Sequence, residues 1–290
     1  MMKHIAFAMI FAWGISLASF SQDKPAWRLY TSSGKPVKYE KMIKVLAGAD
    51  MVFFGEEHNN PIAHWLEREV MESLYDERGK ELVMGAEMIE ADNQLILDEY
   101  LQGLIPVKKF EGEARLWKNY KTDYKPLVDF ARDSGLVFVA DNIPRRYASL
   151  VAKKGFEGLE PLSDEAKAYV HPLPIPYDPE VKCYKDMLSM EGMGAHVNEN
   201  FPKAQAVKDA TMAWFILKHW EKGKIFLHFN GSYHSDNHLG ILWYVNKEKP
   251  GLDIKTLSVV SQKDPGKWDK ENDGLADFII VVPEDMTKTY

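Results

Sequence analysis

The sequence predicts an α/β fold, a mostly parallel sheet flanked by helices, with a Pro/Met-rich helical insertion. Three observations support this prediction. Short apolar runs alternate with amphipathic stretches from Asp50 onward, as they do in βα units. The runs are almost continuously apolar, which is expected of strands that helices cover on both faces. With 290 residues and 46% hydrophobic content, the chain is long enough to bury a core without disulfides or a structural metal.

Six apolar runs are predicted to be β-strands. Four of them are expected to form the centre of the sheet, namely Met51–Gly55, Leu82–Ala86, Leu136–Ala140 and Ile225–Phe229. Two more runs lie near the C-terminus and are predicted at an edge of the sheet, namely Ile254–Val260 and Phe278–Val282.

Capping residues predict where the helices begin and end. Asn60 and Pro61 precede a predicted helix over Ile62–Arg78, which Gly79 ends. In the same way, Pro144 precedes and Gly155 follows a predicted helix over Arg145–Lys154. A third helix is predicted from Pro202 to about Trp220, with an apolar face that packs on the sheet. That face consists of Val207, Ala210, Trp214 and Leu217.

The segment from about residue 155 to 200 differs in character from the rest. Five prolines prevent long regular structure in its first part, namely Pro161, Pro172, Pro174, Pro176 and Pro179. Three methionines follow at a spacing of three residues, namely Met187, Met190 and Met193. We interpret this segment as an insertion over the sheet.

Charge and cysteine content exclude several functions. The 36 Lys and Arg residues against 43 Asp and Glu residues give a net charge of −7, without a basic run. Nucleic acid is therefore excluded as a partner, because duplex binding needs a concentrated positive surface. Cys183 is the only cysteine of the chain, which excludes an internal disulfide, a CxxC redox motif and a thiolate zinc site.

The N-terminus predicts export. Lys3 precedes an apolar run from Ile5 to Phe20, which is too short to span a membrane comfortably. We interpret residues 1–21 as a signal peptide cleaved before Gln22, and residues 22–290 as a single domain. The mature protein is then periplasmic or secreted. A retained membrane anchor is the alternative, although no cysteine near the run offers a site for lipid attachment.

Polar residues follow the predicted strands and mark a candidate site. Glu56 and His58 follow the first strand, Glu87 follows the second, and His234 follows the fourth. The carboxyl ends of parallel strands form a common ligand-binding rim, so these side chains are expected to converge. Both histidines end a Gly-x-x-His motif, whose glycine is expected to permit a sharp turn. The two glutamates are expected to orient the imidazoles, to act as a base or to cap helices.

His64 is a further histidine near the first motif. Its separation from His58 does not match the spacing that places two metal ligands on one helix face. Glu67 and Arg68 lie one helical turn after it. We interpret His64 as a solvated histidine or one that orients other groups, with metal ligation as the alternative.

The segment DNIPRRY places two arginines and a tyrosine at a helix N-terminus. Arg145 and Arg146 suit carboxylates or phosphates there, or they are ordinary surface arginines. Tyr147 is either a packed aromatic residue or an axial ligand to ferric haem, because phenolate binds ferric iron and nearby arginines stabilise the anion. Met190 and Met193, with His196, either flank an apolar ligand or pack in the core.

Several of these motifs together resemble the ChaN family of haem-binding, iron-uptake lipoproteins. The motifs run in order over roughly residues 45 to 245 and are GEEHNN, GAEM, DNIPRRY, QAVKDATMA and HFNGSYHSD. The family belongs to a wider group with the Tiki proteases, TraB proteins and erythromycin esterases on a related α/β fold. The resemblance implies haem at a homodimer interface, with Tyr147 as ligand, a contribution from His58, and possible contact with outer-membrane haem-uptake machinery. Asp209 lies in the fourth motif, either as a partner of the rim histidines or as a surface charge.

Two functions are therefore predicted. The first is an exported protein of iron and haem acquisition that binds ferric haem and catalyses no reaction. Its expected cofactor-binding residues are Tyr147, His58, Arg145, Arg146, Met190 and Met193. The alternative is a hydrolase of the Tiki protease or esterase type, whose site residues surround a divalent metal or act as acid–base groups without one. Its expected site residues are Glu56, Glu87, His58 and His234.

Overall fold

A computed structural model describes residues 24–189 and 198–290. Its centre is a seven-stranded sheet in the order β1-β7-β6-β2-β5-β3-β4. The strands are β1 (Arg28–Thr31), β2 (Met51–Glu56), β3 (Leu82–Glu90), β4 (Val137–Asn142), β5 (Ile225–Gly231), β6 (Ile254–Gln262) and β7 (Phe278–Pro283). All neighbouring strands are parallel except β1, which pairs antiparallel with β7.

Helices cover both faces of the sheet. They are α1 (Tyr39–Leu46), α2 (Pro61–Arg78), α3 (Gln94–Leu101), α4 (Val107–Glu113), α5 (Lys125–Ser134), α6 (Arg145–Lys154), α7 (Asp164–Lys167), α8 (Lys182–Met187), α9 (Asn200–His219) and α10 (Ile241–Glu248). The residues at the start of α2 determine where this helix begins. The Asn60 side chain accepts hydrogen bonds from the backbone N–H of Ile62 and Ala63, and Pro61 occupies the first turn.

The strands divide their side chains between two cores because successive residues of a strand point to opposite faces. In β2, Val52 and Phe54 pack with residues of α1, α2 and α5. Met51 and Phe53 pack on the other face with residues of α6, α9 and α10. The apolar runs of the sequence reflect this double burial.

The predicted fold class is confirmed, and all six predicted strands are present. The predicted edge position of the last two strands is wrong. β6 lies between β2 and β7, and β7 lies inside the sheet because β1 pairs with its outer side. β1 was not predicted, because it has four residues and no long apolar run.

The predicted helix over Arg145–Lys154 matches α6, and the one predicted from Pro202 matches α9, which packs on β3 and β4. The proline-rich segment contains the short helices α7 and α8, and Tyr184 and Met187 of α8 join the core beneath α9.

The division into a signal peptide and one domain stays a prediction, since residues 1–23 lie outside the described part. Within the described residues, no helix has both the length and the apolar character that crossing a membrane requires.

Candidate functional site

The carboxyl ends of β2, β3 and β5 bring four of the predicted site residues together. His58 Nδ1 lies 2.6 Å from Glu56 Oε1, and His58 Nε2 lies 3.9 Å from Glu87 Oε2. The other oxygen of Glu87 lies 3.2 Å from His234 Nε2. The strand ends therefore converge on one rim, as the sequence predicts, while the chemical roles of these residues remain predictions.

The two Gly-x-x-His motifs lie so close together that neither glycine position has space for a side chain. A Cβ atom on Gly231 would lie 2.6 Å from His58 Nε2, and one on Gly55 would lie 2.9 Å from the backbone Cα of Ser232. Neither glycine has a positive φ. The expectation that these glycines permit a sharp turn is therefore wrong. They are needed because β2 and β5 are adjacent and the two motifs approach too closely for a side chain.

A buried hydrogen-bonded network holds His234. Its Nδ1 donates to Asp209, whose second carboxylate oxygen accepts from the Tyr184 hydroxyl at 2.7 Å. All three side chains are buried. Burial lowers the pKa of His234, but the carboxylates of Glu87 and Asp209 outweigh it and raise that pKa to about 9. Of the two interpretations of Asp209, a partner of the rim histidines is confirmed.

His58 is the most accessible member of the rim. Its side chain is 31% exposed, and the Trp117 ring packs edge-on against the imidazole, with ring centroids 4.9 Å apart. Burial lowers the pKa of His58, but the hydrogen bond to Glu56 outweighs it and raises that pKa. His58 Nδ1 is thus hydrogen-bonded to Glu56, and His58 Nε2 is the ring nitrogen that can bind a ligand.

A second polar cluster lies beneath the rim. His64 Nδ1 lies 2.9 Å from Glu56 Oε2 and 3.2 Å from Glu67 Oε2, and His64 Nε2 lies 3.3 Å from Asp123 Oδ2. The Tyr124 hydroxyl donates to Glu56 Oε1 at 2.7 Å. The interpretation of His64 as solvated is wrong, because its side chain is buried between carboxylates.

Burial and mutual charge control the ionisation of this cluster. Burial lowers the pKa of His64, but the neighbouring carboxylates of Glu56 and Glu67 outweigh it and raise that pKa to about 11. Burial raises the pKa of Glu56, but the neighbouring imidazoles of His58 and His64 outweigh it and lower that pKa to about 2. Burial and the neighbouring Glu56 carboxylate both raise the pKa of Glu67.

Two adjoining cavities open at the rim. The larger, of about 580 Å³, is lined by Glu90, Arg115, Leu116, Trp117, Lys118, Asn119, Arg145, Arg146 and Tyr290. The smaller, of about 360 Å³, is lined by His58, Glu87, Glu90, Trp117, Asn142, Ile143, Arg145, Ala148, Ser149, Ala152, Phe201, Ala204 and Lys208. Trp117 and Arg145 line both, and the Arg145 guanidinium lies 5.9 Å from the centre of the Trp117 ring. An aromatic wall, guanidinium groups and an imidazole thus share one cleft.

Tyr147 lies beside this cleft and does not line either cavity. Arg145, Ala148 and Ala152 share the cavity face of α6, and the helical period places Tyr147 on another face. Its hydroxyl accepts a hydrogen bond from Arg146 Nη2 at 3.2 Å, and Arg146 is itself paired with Asp92 at 2.6 Å. The predicted ligand role of Tyr147 stays a prediction.

Other site residues were not predicted or are not described. Met190, Met193 and His196 lie in residues 190–197, outside the described part of the chain. Three aromatic residues of the site were not predicted, namely Trp117, Tyr124 and Tyr184. They lie in segments without a periodic pattern or at positions that a core aromatic residue also fills. Asp141 follows a predicted strand, yet it is buried and pairs with His228 at 3.1 Å instead of facing the rim.

Comparison with known proteins identifies the family and the fold. The family model described as haem-binding uptake, Tiki superfamily, ChaN matches residues 42–245. Among solved structures, the chain is similar to ChaN of Campylobacter jejuni, described for its cofacial heme binding, with 18% identity and a TM-score of 0.67 over 88% of this chain and 96% of that one. It is also similar to a protein from Bacillus cereus, with 10% identity and a TM-score of 0.51 over 88% and 94% of the two chains. No curated protein matches the chain.

Proposed function

The chain belongs to the ChaN family of haem-binding uptake proteins, and we propose that it binds ferric haem at the rim in iron and haem acquisition. The observation that carries this proposal is the cleft itself, whose lining residues all lie within the part of the chain that the family model matches, except Tyr290. Its Trp117 ring offers an apolar wall to a porphyrin, and its arginines offer charge to the propionates. His58 Nε2 and the Tyr147 hydroxyl are the two candidate iron ligands. When bound, haem supplies the ferric iron that the protein carries.

The three arginines of the cleft are not equivalent. Arg146 pairs with Asp92, and Arg115 pairs with Glu90 and Asp92. Arg145 makes no ion pair with any residue of the described part and lines both cavities. We therefore assign the main propionate contact to Arg145, and to Arg146 the stabilisation of a Tyr147 phenolate.

Replacing Tyr147 by phenylalanine tests the ligand. A ferric tyrosinate gives a high-spin spectrum with a charge-transfer band, and Tyr147→Phe removes only the hydroxyl. We expect haemin titration of the wild type to show this spectrum and the variant to lose it. The affinity is expected to fall at least about tenfold, or about 1.4 kcal/mol.

Two further variants complete this experiment. Tyr169→Phe is the matched control, because Tyr169 is another half-buried tyrosine that packs on the same core, and it should leave the spectrum unchanged. If Tyr147→Phe is also unchanged while His58→Ala alters the spectrum, His58 holds the iron. Haemin binding absent from the wild type would refute the proposal as a whole.

The proposal extends to a homodimer. Arg145 and Arg146 are exposed at the start of α6, and Tyr147 beside them is half-buried, so a haem ligated by Tyr147 would need a second surface to cover it. The Campylobacter jejuni protein binds heme cofacially, an arrangement in which two haems stack face to face. Two copies of this chain would supply such a pair, each covering the haem of the other.

The proposed place of action is outside the cytoplasm. The apolar run from Ile5 to Phe20 and the small residues Ser19 and Ser21 support export with cleavage before Gln22. Export would bring the protein to the compartment through which haem enters the cell. Contact with outer-membrane haem-uptake machinery is part of this proposal.

A second candidate function is hydrolysis, and one observation favours it. His58 and His234 face Glu87 from opposite sides, and Asp209 orients His234, as an acid–base site requires. The same nitrogen of His58 would serve either function. Esterase and peptidase assays with added divalent metals test this candidate, and turnover that His58→Ala abolishes would favour it over haem carriage.

A further inference from the structure

We propose that a divalent transition-metal ion binds in the buried cluster beneath the rim, with Glu56, His64 and Glu67 as its protein ligands. These residues come from the end of β2 and the first two turns of α2. The site shares Glu56 with the rim but does not include the other rim residues, His58, Glu87 and His234. The inference goes beyond haem binding and does not depend on it.

The spacing of the donor atoms fits a single ion. One donor atom from each of the three residues lies within 4.8 Å of the other two. His64 Nδ1 lies 2.9 Å from Glu56 Oε2 and 3.2 Å from Glu67 Oε2. An ion bound at 2.0–2.2 Å from nitrogen and oxygen ligands holds those ligands roughly 3 Å apart. The three donors can therefore surround one ion with only small adjustments.

The hydrogen bonds inside the cluster do not satisfy its acceptors. A single hydrogen on His64 Nδ1 can serve only one of the two carboxylates, although both lie within reach. Glu56 Oε2 and Glu67 Oε1 are buried and accept no hydrogen bond from any residue that the structure describes. Glu56 is 2% exposed and Glu67 is fully buried. A buried carboxylate oxygen left unpaired is costly, and a cation beside His64 Nδ1 would satisfy Glu56 Oε2.

The atoms that would not contact the ion are held by other groups. His64 Nε2 faces Asp123 Oδ2 at 3.3 Å and the backbone oxygen of His58 at 3.2 Å. A hydrogen on Nε2 that donates to these oxygens leaves the lone pair of Nδ1 for a metal. A carboxylate behind the imidazole is the usual support of a metal-bound histidine. The Tyr124 hydroxyl donates a hydrogen bond to Glu56 Oε1, the oxygen of Glu56 that would not contact the ion.

Charge and donor type indicate the class of metal. Two carboxylates and a neutral imidazole balance a divalent ion, so the ion and its three ligands together carry no net charge. One nitrogen with carboxylate oxygens suits zinc, manganese or ferrous iron, whereas calcium prefers six to eight oxygen ligands. The site is therefore assigned to a transition-metal ion of the Mn²⁺ to Zn²⁺ series.

Calorimetric titration of the chelator-treated full chain with Zn²⁺ and with Mn²⁺ tests the proposal. We expect one ion per chain and at least a tenfold loss of affinity in Glu67→Gln, which keeps the shape of the side chain and removes its charge. Glu77→Gln is the matched control, because Glu77 is exposed on the same helix, and it should bind as the wild type does. Absence of binding to the wild type would overturn the proposal.

Two measurements separate this site from the rim. His234→Gln should retain the ion, and loss of binding in that variant but not in Glu67→Gln would place the metal at the rim and overturn the proposal. X-ray absorption of the zinc-loaded wild type decides the matter if Glu67→Gln does not fold. One imidazole ligand supports the buried site, and two imidazoles would overturn it. Haemin titration of the same sample is independent, so failure of one proposal leaves the other intact.

Discussion

Asp209→Ala is expected to lower the free energy of unfolding by about 3–5 kcal/mol, the cost of removing one partner from a buried ion pair. The Asp209 carboxylate is 1% exposed and accepts from His234 Nδ1. Alanine would leave that nitrogen without its acceptor in the interior, and the Tyr184 hydroxyl would lose its acceptor as well. Urea unfolding followed by circular dichroism measures the loss.

Two controls separate charge from packing in this experiment. Tyr184→Phe keeps the ring and the His234 pair and removes one hydrogen bond to a charged group, so a smaller loss of about 1.5–3 kcal/mol is expected. Asp186→Ala removes an exposed carboxylate paired with Lys182 and should cost less than about 1 kcal/mol. A loss for Asp209→Ala no larger than that of the exposed control would contradict an ionised, buried His234–Asp209 pair.

The sheet was largely predictable because its strands are buried on both faces. A strand of that kind appears in the sequence as a continuous apolar run, so β2 to β7 were predicted from the pattern of apolar runs. Their polar ends were harder to assign. β3 continues through Glu87 to Glu90 and β5 through Asn230 and Gly231, because backbone pairing extends past the point where the apolar pattern stops.

The convergence of the site was predictable, but its internal partners were not. Parallel strands end at one rim, so the sequence predicted that Glu56, His58, Glu87 and His234 meet. A partnership of Asp209 with the rim histidines was one of two interpretations, and no local pattern indicates that Asp209 reaches His234 from α9, or that His64 lies buried beside Glu56. These contacts depend on how helices dock on the sheet, which the sequence pattern does not specify. Trp117 likewise gave no signal, because it lies in an irregular segment between α4 and α5.

Stability is also expected to fall as the pH rises through the titration of His234. The pKa of this residue is raised from 6.5 to about 9 in the folded protein, so the folded state holds the proton more tightly than the unfolded state does. The resulting stabilisation is complete below pH 6.5 and is lost between pH 6.5 and about 9. At 1.36 kcal/mol per pKa unit, it amounts to about 3 kcal/mol.

His234→Gln isolates this contribution, because glutamine does not titrate. The raised pKa of His64, about 11, contributes a loss in the same direction in both proteins. Glu56 contributes at acid pH. Its lowered pKa of about 2 gives stability that is present above pH 4.5 and is lost as the pH falls toward 2. Unfolding free energies from urea titrations at pH 6 and pH 9 should therefore differ more in the wild type than in the variant. Equal differences in the two proteins would mean that folding does not raise the pKa of His234, which would contradict an ion pair of its imidazolium with Asp209 and Glu87.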